Sequence, residues 1–558
     1  MRKRKIALLM ALSMVASVPM NAMTVSAEEA PEEVTLTVYM NPSGYLTSGI
    51  QNDAVAQAIK EKTGVTLDIV AEETDKTKAI VASGDLYDIS VLDNVEYISP
   101  LISTDSVADL SEWIEKAPNL TGNFSELINY SKEYLSNDSG NLYVLPMRAK
   151  ADNSPLAKDM DGNFIQWDQY VEAGSPEITS VDDLIDLLET IQNNNPENEN
   201  GQKAYALSAW SDWGAGSFAS PLQKVLGLSG TSLYSSYSYS DNEYQDLFND
   251  DNLYLQYAEF MYKANQRGLV DPEAFVQKYE DYSAKLMDGR VLTSMYAWAV
   301  SAKSAALEKE GKAGFVDIPF ADTEEFPSQV NRDSVFGYSL RLLVVSKDCD
   351  DTKMEAIMRL LNFIYSEDGA RTMLNGPEGT TWTKDDNGNA VFTEETMAAV
   401  LEDSSYLTNF GADYYLGLMG IDYDAYDSTG ERYIDLRLNK DYIQQTLKDY
   451  EREYCEHYGV EIPLDVFVNR ENQSTQHISI SMLYPTEVPT NISRIKTKVE
   501  DYMLKELPVL ILSENQEAYD ANLAEMREEL TAMDYETARD YYKEVFENAV
   551  ASYNELTK

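Results

Sequence analysis

Residues 164–192 read FIQWDQYVEAGSPEITSVDDLIDLLETIQ, and beyond an Asn/Glu-rich gap residues 200–214 read NGQKAYALSAWSDWG. The first stretch ends in an amphipathic helix. Ser180, with Asp183 three residues on, makes an N-cap pair, and Val181, Leu184, Ile185, Leu188 and Ile191 share one face at helical spacing. Trp167, Trp210 and Trp213, half of the chain's six tryptophans, stand at predicted element ends, with Asp212 between the last two.

Upstream of this block the pattern alternates strand and helix. TLTVYM (35–40) and VTLDIV (65–70) alternate apolar and polar residues. Between them lies a helix capped by Asp53, carrying Val55, Ala58 and Ile59 on one face, and stopped by Gly64. Strand, helix and strand of this length predict a parallel βαβ unit. A second helix (76–82) stops at Gly84, DISVLD supplies a third strand, and LYVLP (142–146) closes a first lobe. Downstream, FGYSLRLLVVS (336–346) reads as a strand, followed by a helix aligning Ile357, Leu360, Leu361 and Ile364. From about Ile492 helix follows helix. The Tyr/Ser-biased run 232–244 reads as a loop.

Composition narrows the function. The chain has 558 residues and a formal net charge of −51, which disfavours nucleic acid and anionic membrane surfaces as partners. With 44% hydrophobic and 11% aromatic residues it has the material for packed cores, and its length calls for two lobes. Residues 1–27 read as a secretory leader. Arg2 to Lys5 are basic, Ala7–Met20 is an apolar run too short to span a bilayer, and Val25-Ser26-Ala27 supplies small residues before the cut. An extracellular, secreted or surface-associated protein is expected. Cys349 and Cys455 are the only cysteines, and spacing alone leaves a disulfide and two free thiols equally open.

Several stretches in order resemble the large Firmicutes-type extracellular solute-binding proteins of carbohydrate ABC importers. Besides the opening block these are IVASGDLYDISVLDN (80–94), ADLSEWIEKAPNL (108–120), GNLYVLPMRAKAD (140–152), ANQRGLVDPEAF (264–275), LLNFIYSEDGARTMLN (360–375) and the helical run from Ile495. Two departures stand out: Tyr87 occupies the family's usual Pro, and the leader lacks a lipid-anchoring Cys. The resemblance implies an α/β, two-lobed type II periplasmic-binding-protein fold with hinge crossovers and a helical C-terminal extension. Lobe 1 is expected at 34–148 and 312–366, lobe 2 at 149–311 and 367–490, and helices packed on the lobes at 491–558. It further implies an oligosaccharide ligand, permease subunits of an ABC importer as partners, and a monomer.

Sugar rings stack on flat aromatic side chains and their hydroxyls take planar hydrogen bonds, so aromatics beside Asp, Asn, Arg or Lys at loop ends are the candidate residues. On the first lobe these are Tyr45, Asp93 and Asn94 after strands, and Arg148 and Lys150 past the Pro146 exit. Turn formation competes for the Asp and Asn, and surface ion pairing for the cations. On the second lobe they are Trp210, Asp212 and Trp213, then Tyr296 and Trp298 in YAWA, and Trp382, for which hairpin packing is an equal reading.

Signs of catalysis or of a cofactor are absent. His457 and His477 are the only histidines, with no HExxH, no GxSxG and no Cys/His cluster at zinc spacing. The oxygen-rich loops 195–203 and 383–388 fit a calcium loop poorly and read as solvated, so no metal is assigned. A secreted carbohydrate-active enzyme using the abundant carboxylates, and a ligand sensor of the same fold, remain the alternatives.

Overall fold

The computed structural model describes residues 31–40, 46–71, 74–152, 157–158, 162–215, 228–230, 232–234, 236–238, 242–331, 333–475 and 480–556. The leader, Tyr45 and His477 lie outside them.

The first lobe is built on one six-stranded sheet. In chain order its strands are β1 (Val34–Met40), β2 (Gly49–Ile50), β3 (Val65–Ala71), β4 (Ile89–Leu92), β5 (Val144–Met147) and β6 (Tyr338–Val345), arranged as β2-β3-β1-β4-β6-β5. β1 pairs in parallel with β3 along its whole length and with β4 on its other side, as the alternating pattern predicts. The helix Ala54–Thr63 leads from β2 into β3. Asp53 caps it by accepting the Ala56 amide at 3.0 Å, and Gly64 ends it at φ 75°. A Cβ at Gly64 would lie 2.4 Å from the Glu32 carbonyl oxygen, so the stop depends on glycine.

β6 returns to this sheet from far along the chain and runs antiparallel between β4 and β5. Its side chains divide between two cores. Leu343 and Val345 pack with β1, β3 and the helix Asp351–Ile364, whereas Leu342 and Val344 pack on the opposite face with Leu92, Val144, Phe336 and Phe546. Cys349 lies against the first of these cores and Cys455 within that of the second lobe, and both thiols are free. Burial first, then nearby acids, pushes them up to about 12 and about 11.

The second lobe carries a small antiparallel sheet in which Phe164–Gln166 lies between Thr293–Ser294 and Phe315–Asp317. The helix Val181–Asn194 forms as read from sequence, with Ser180 Oγ accepting the Asp183 amide at 3.1 Å. Leu184, Ile185, Leu188 and Ile191 enter a core shared with the helix Leu253–Gln266.

Core membership departs from the expected domain limits in three places. Val316, Ile318 and Phe320, expected in lobe 1, belong to the second core. Ala370, Met373, Leu374, Tyr415, Leu418, Ile421 and Ile434, expected in lobe 2, belong to the core of the six-stranded sheet. The C-terminal helices are more than a covering. Val499, Met503, Leu507, Met526, Leu530 and Tyr535 are buried inside the second core itself. The apolar periodicity that marks these segments as helices carries no record of which lobe they fill. Among the described residues no helix is long and apolar enough to cross a membrane.

Because Met503 is fully buried in this core, Met503→Ala should cost about 2–5 kcal/mol in denaturant unfolding, as a cavity in any core does. A loss below about 1 kcal/mol would return the C-terminal helices to the role of a peripheral layer.

Candidate functional site

Two walls of side chains stand out, and aromatic exposure marks both. Among the described residues the exposed aromatic side chains are Trp213, Trp298, Tyr338 and Tyr423. The first two belong to the second lobe and the others to the rim of the six-stranded sheet.

The second-lobe wall is a platform of packed rings. The chain leaves a bridge at Leu207, places Trp210 beneath the surface, and turns at Gly214 (φ 85°) so that Trp213 projects outward. After Thr293–Ser294 the chain enters the helix Ala297–Lys309, and Trp298 in its first turn also projects. The Trp213 and Trp298 rings lie nearly parallel, 22° apart with centroids at 5.8 Å. Trp210 meets Trp213 edge-on at 5.1 Å and Trp298 at 6.2 Å, and it contacts Tyr279, Tyr282 and Tyr296. Asp212 fixes the turn by accepting the Tyr279 amide at 3.0 Å. The Tyr282 hydroxyl donates to Ser294 Oγ at 3.0 Å, tying the floor to the sheet.

Trp210 is 5% exposed and Tyr296 7%, against 51% for Trp213 and 44% for Trp298. The two buried rings are therefore a floor, which corrects their expected role in direct stacking. Five other rings surround Trp210, which leaves it little surface for a ligand. Tyr279, which sequence reading passed over, completes the platform at 5.2 Å from Trp213 and 5.4 Å from Trp298.

The first-lobe wall forms where strands end. β4 and β5 finish at Leu92 and Met147, and β6 begins at that same edge, so Asp93, Arg148, Tyr338 and Arg341 gather on one rim. This is the edge at which open α/β sheets bind ligands. Arg148 adopts a left-handed backbone, φ 59°, held by its amide and that of Ala149 donating to Met419 and Gly420 carbonyls at 2.8 Å each. Its Nε donates to Asp422 Oδ1 at 2.9 Å, and its guanidinium sits over the rings of Tyr423 (4.8 Å) and Tyr338 (5.4 Å). Burial opposes the Arg148 charge, but Asp422 outweighs it and holds the group above the ordinary guanidinium range.

The remaining candidates are placed as follows. Asn94 Oδ1 accepts the Glu96 amide at 2.9 Å and so caps its own turn. Lys150 is 3% exposed, and its Nζ donates to Asp424 Oδ2 at 3.0 Å. Burial, then the Asp422 charge, raises the Asp424 carboxyl above its usual range against the pull of Lys150. That ammonium is enclosed inside the protein and is not presented to a ligand, which corrects its candidate role. Trp382 is fully buried in a hairpin, its Nε1 donating to the Gly376 carbonyl at 2.8 Å and its ring covered by Arg371 at 5.3 Å. It too leaves the candidate set. In the loop after it, the Asp385 carboxylate accepts the Asn387 and Asn389 amides.

A cavity of about 270 Å³ is lined by Phe164, Ala297, Phe315, Asp424 and Tyr433 among others, and none of the exposed wall rings takes part in its lining. Phe164 and Phe315 pack on the Trp210 cluster, and Asp424 is two residues from the Arg148 partner Asp422.

Comparison with known proteins gives this geometry a setting. No curated protein matches the chain. Among solved structures, the chain is similar to a solute-binding protein from Bifidobacterium longum infantis described as HMO-binding and associated with an ABC transporter. The identity is 15%, with 92% of this chain and 98% of that one covered and a TM-score of 0.57. It is also similar to an EF-hand mutant of the Streptococcus pneumoniae ABC-transporter substrate-binding protein FusA, solved with fructo-nystose, at 15% identity, 93% and 100% coverage and a TM-score of 0.60. At that identity the likeness establishes the two-lobed fold. The model of a bacterial extracellular solute-binding protein matches residues 32–385, more than half of the sequence, and the chain belongs to that family.

Proposed function

We propose that this protein is the extracellular binding component of an ABC importer for an oligosaccharide, held between the Trp213/Trp298 platform and the Arg148/Tyr338/Tyr423 rim. The observation that carries the reading is the sorting of aromatic exposure. Among the described residues four aromatic rings are exposed, and they sit in pairs on the two walls. Flat rings facing a cleft suit the apolar faces of pyranoses, and the guanidinium beside them suits ring hydroxyls. The names of its structural neighbours point the same way.

The division of labour follows from this placement. We assign 34–152 and 333–434 to the first lobe and 162–326 with most of 440–542 to the second. The ligand gains contacts to both walls only when the lobes approach, so binding favours the closed form that permease subunits would receive. The chain acts as a monomer, and its first 27 residues are its export leader. Intact mass of the secreted protein should show Glu28 as the first residue.

Stacking separates from packing by where a loss appears. Trp213→Ala and Trp298→Ala should each weaken oligosaccharide binding by about 1–3 kcal/mol in calorimetry. Their effect on unfolding should be small. Trp382→Ala should do the reverse, losing about 3–5 kcal/mol of stability while its folded fraction binds normally. Equal affinities for all three mutants would remove the platform from the site.

A binding role also requires that the ligand survive. A glycan panel screened by thermal shift identifies the ligand, since anything bound only by the folded state raises the melting temperature. After prolonged incubation that glycan should be recovered uncut. Shortened products would make the protein a carbohydrate-active enzyme.

A further inference from the structure

We infer that the ligand carries a negative charge, a carboxylate or sulfate ester on one of its sugars, and that Arg341 is the residue that selects it. The inference rests on the carbohydrate reading above and narrows it from sugars in general to acidic ones.

The placement of Arg341 comes from an irregularity in β6. Tyr338 pairs with Met147 and Leu342 with Pro146, so four steps along β6 oppose one step along β5. The surplus residues form a bulge at the rim, a device that re-aims side chains beside binding sites. On the other side of β6 the register Leu342↔Leu92 continues toward Arg341 opposite Asp93. Arg341 therefore stands between Asp93 and the Met147–Arg148 corner, at the edge where β4 and β5 end.

Its hydrogen bonding is incomplete. Each guanidinium has five N–H donors. Arg341 Nη1 donates to the Leu340 carbonyl at 2.8 Å, and Arg148 Nε donates to Asp422. Among the described residues Arg341 makes no ion pair, in a chain with 95 acidic residues against 44 basic ones. Asp93 is within electrostatic reach and favours the Arg341 charge, but burial and the neighbouring Arg148 both act against it and leave it below the ordinary guanidinium range. Arg341 thus brings a second guanidinium to a rim where Arg148 is already paired with Asp422.

The guanidinium decides between ligand classes. Hydroxyls of a neutral sugar accept its N–H groups as neutral partners. An anionic group accepts the same hydrogen bonds with charge assistance, bidentately where geometry allows. The overall charge of −51 would repel an anion at long range, so local selection by guanidinium is what such a ligand needs.

The test uses the mature protein and calorimetry with three probe sets matched in length: oligouronides, sulfated oligosaccharides and neutral oligosaccharides, including carboxyl-reduced versions of the oligouronides. Expected is one acidic set, uronide or sulfated, binding at least about tenfold tighter than its neutral counterpart, as charge-assisted bonds allow. Which set wins identifies the anion. Arg341→Gln should abolish that ratio, the acidic set losing far more affinity than the neutral one, and Arg341→Lys should retain part of it. Unfolding curves for both variants check that they fold, and the lysine variant serves alone if the glutamine one does not. Equal affinity for acidic and neutral sugars, or an equal loss for both in Arg341→Gln, overturns the inference and leaves the carbohydrate reading standing. Binding of no sugar in any set overturns both.

Discussion

Everything in the cleft depends on the antiparallel insertion of β6 between β4 and β5. The strand arrives almost 200 residues after its neighbour β5, and by entering antiparallel it brings its first residues, not its last, to the edge where β4 and β5 end. Gly337 makes the entry possible. At φ 72° a Cβ there would lie 2.6–2.8 Å from Pro146 atoms, so no larger residue could pass so close to β5. The bulge that follows then delivers Tyr338 and Arg341 to the rim. Had β6 been the parallel sixth strand of a simple doubly wound sheet, both would lie at the far edge, away from the platform.

The opposite wall solves a different problem, that of keeping large rings exposed without letting them collapse. Half of an indole is about 100 Å² of apolar surface, worth about 2–3 kcal/mol if it were covered. Trp213 and Trp298 forgo this because the floor beneath them is already full. Trp210, Tyr282 and Tyr296 occupy the space into which they would turn, and the Asp212–Tyr279 and Tyr282–Ser294 hydrogen bonds fix the frame. A rigid exposed ring has little side-chain entropy left to lose, so a stacking ligand recovers more of the covered area as affinity.

How much of this was legible beforehand depends on whether the signal was local. Asp53, Gly64 and Ser180 act through their own next few backbone atoms, and they do what their sequence context predicts. Trp213 and Trp298 were readable because polar or small neighbours argue against a core stripe. Trp382 and Lys150 were misplaced because their partners, Gly376 with Arg371 and Asp424, are a matter of tertiary contact. Arg341, Tyr338 and Tyr423 went unnoticed for the same reason. Within LRLL the arginine reads as an ordinary strand residue, and only the bulge register shows that it reaches the rim. The lobe limits failed where helical periodicity is identical whichever core it faces.

The last helix, Tyr535–Leu556, packs into both lobes. Tyr535, Ala538 and Tyr542 are buried in the second core, and Phe546 and Ala549 pack behind the six-stranded sheet with Leu92, Val144 and Val344. One continuous helix of about 33 Å thus anchors in both lobes, on the face of the sheet opposite the core that holds β1 and β3. A straight helix does not stretch, and breaking it would expose backbone groups and the buried rings together. Closure that preserved both anchors would have to pivot about this helix, with the sliding taken up by the ring contacts between Phe546 and Tyr237 or Tyr244, at 5.1 and 5.5 Å. The helical tail thus ties the two cores together through one continuous element.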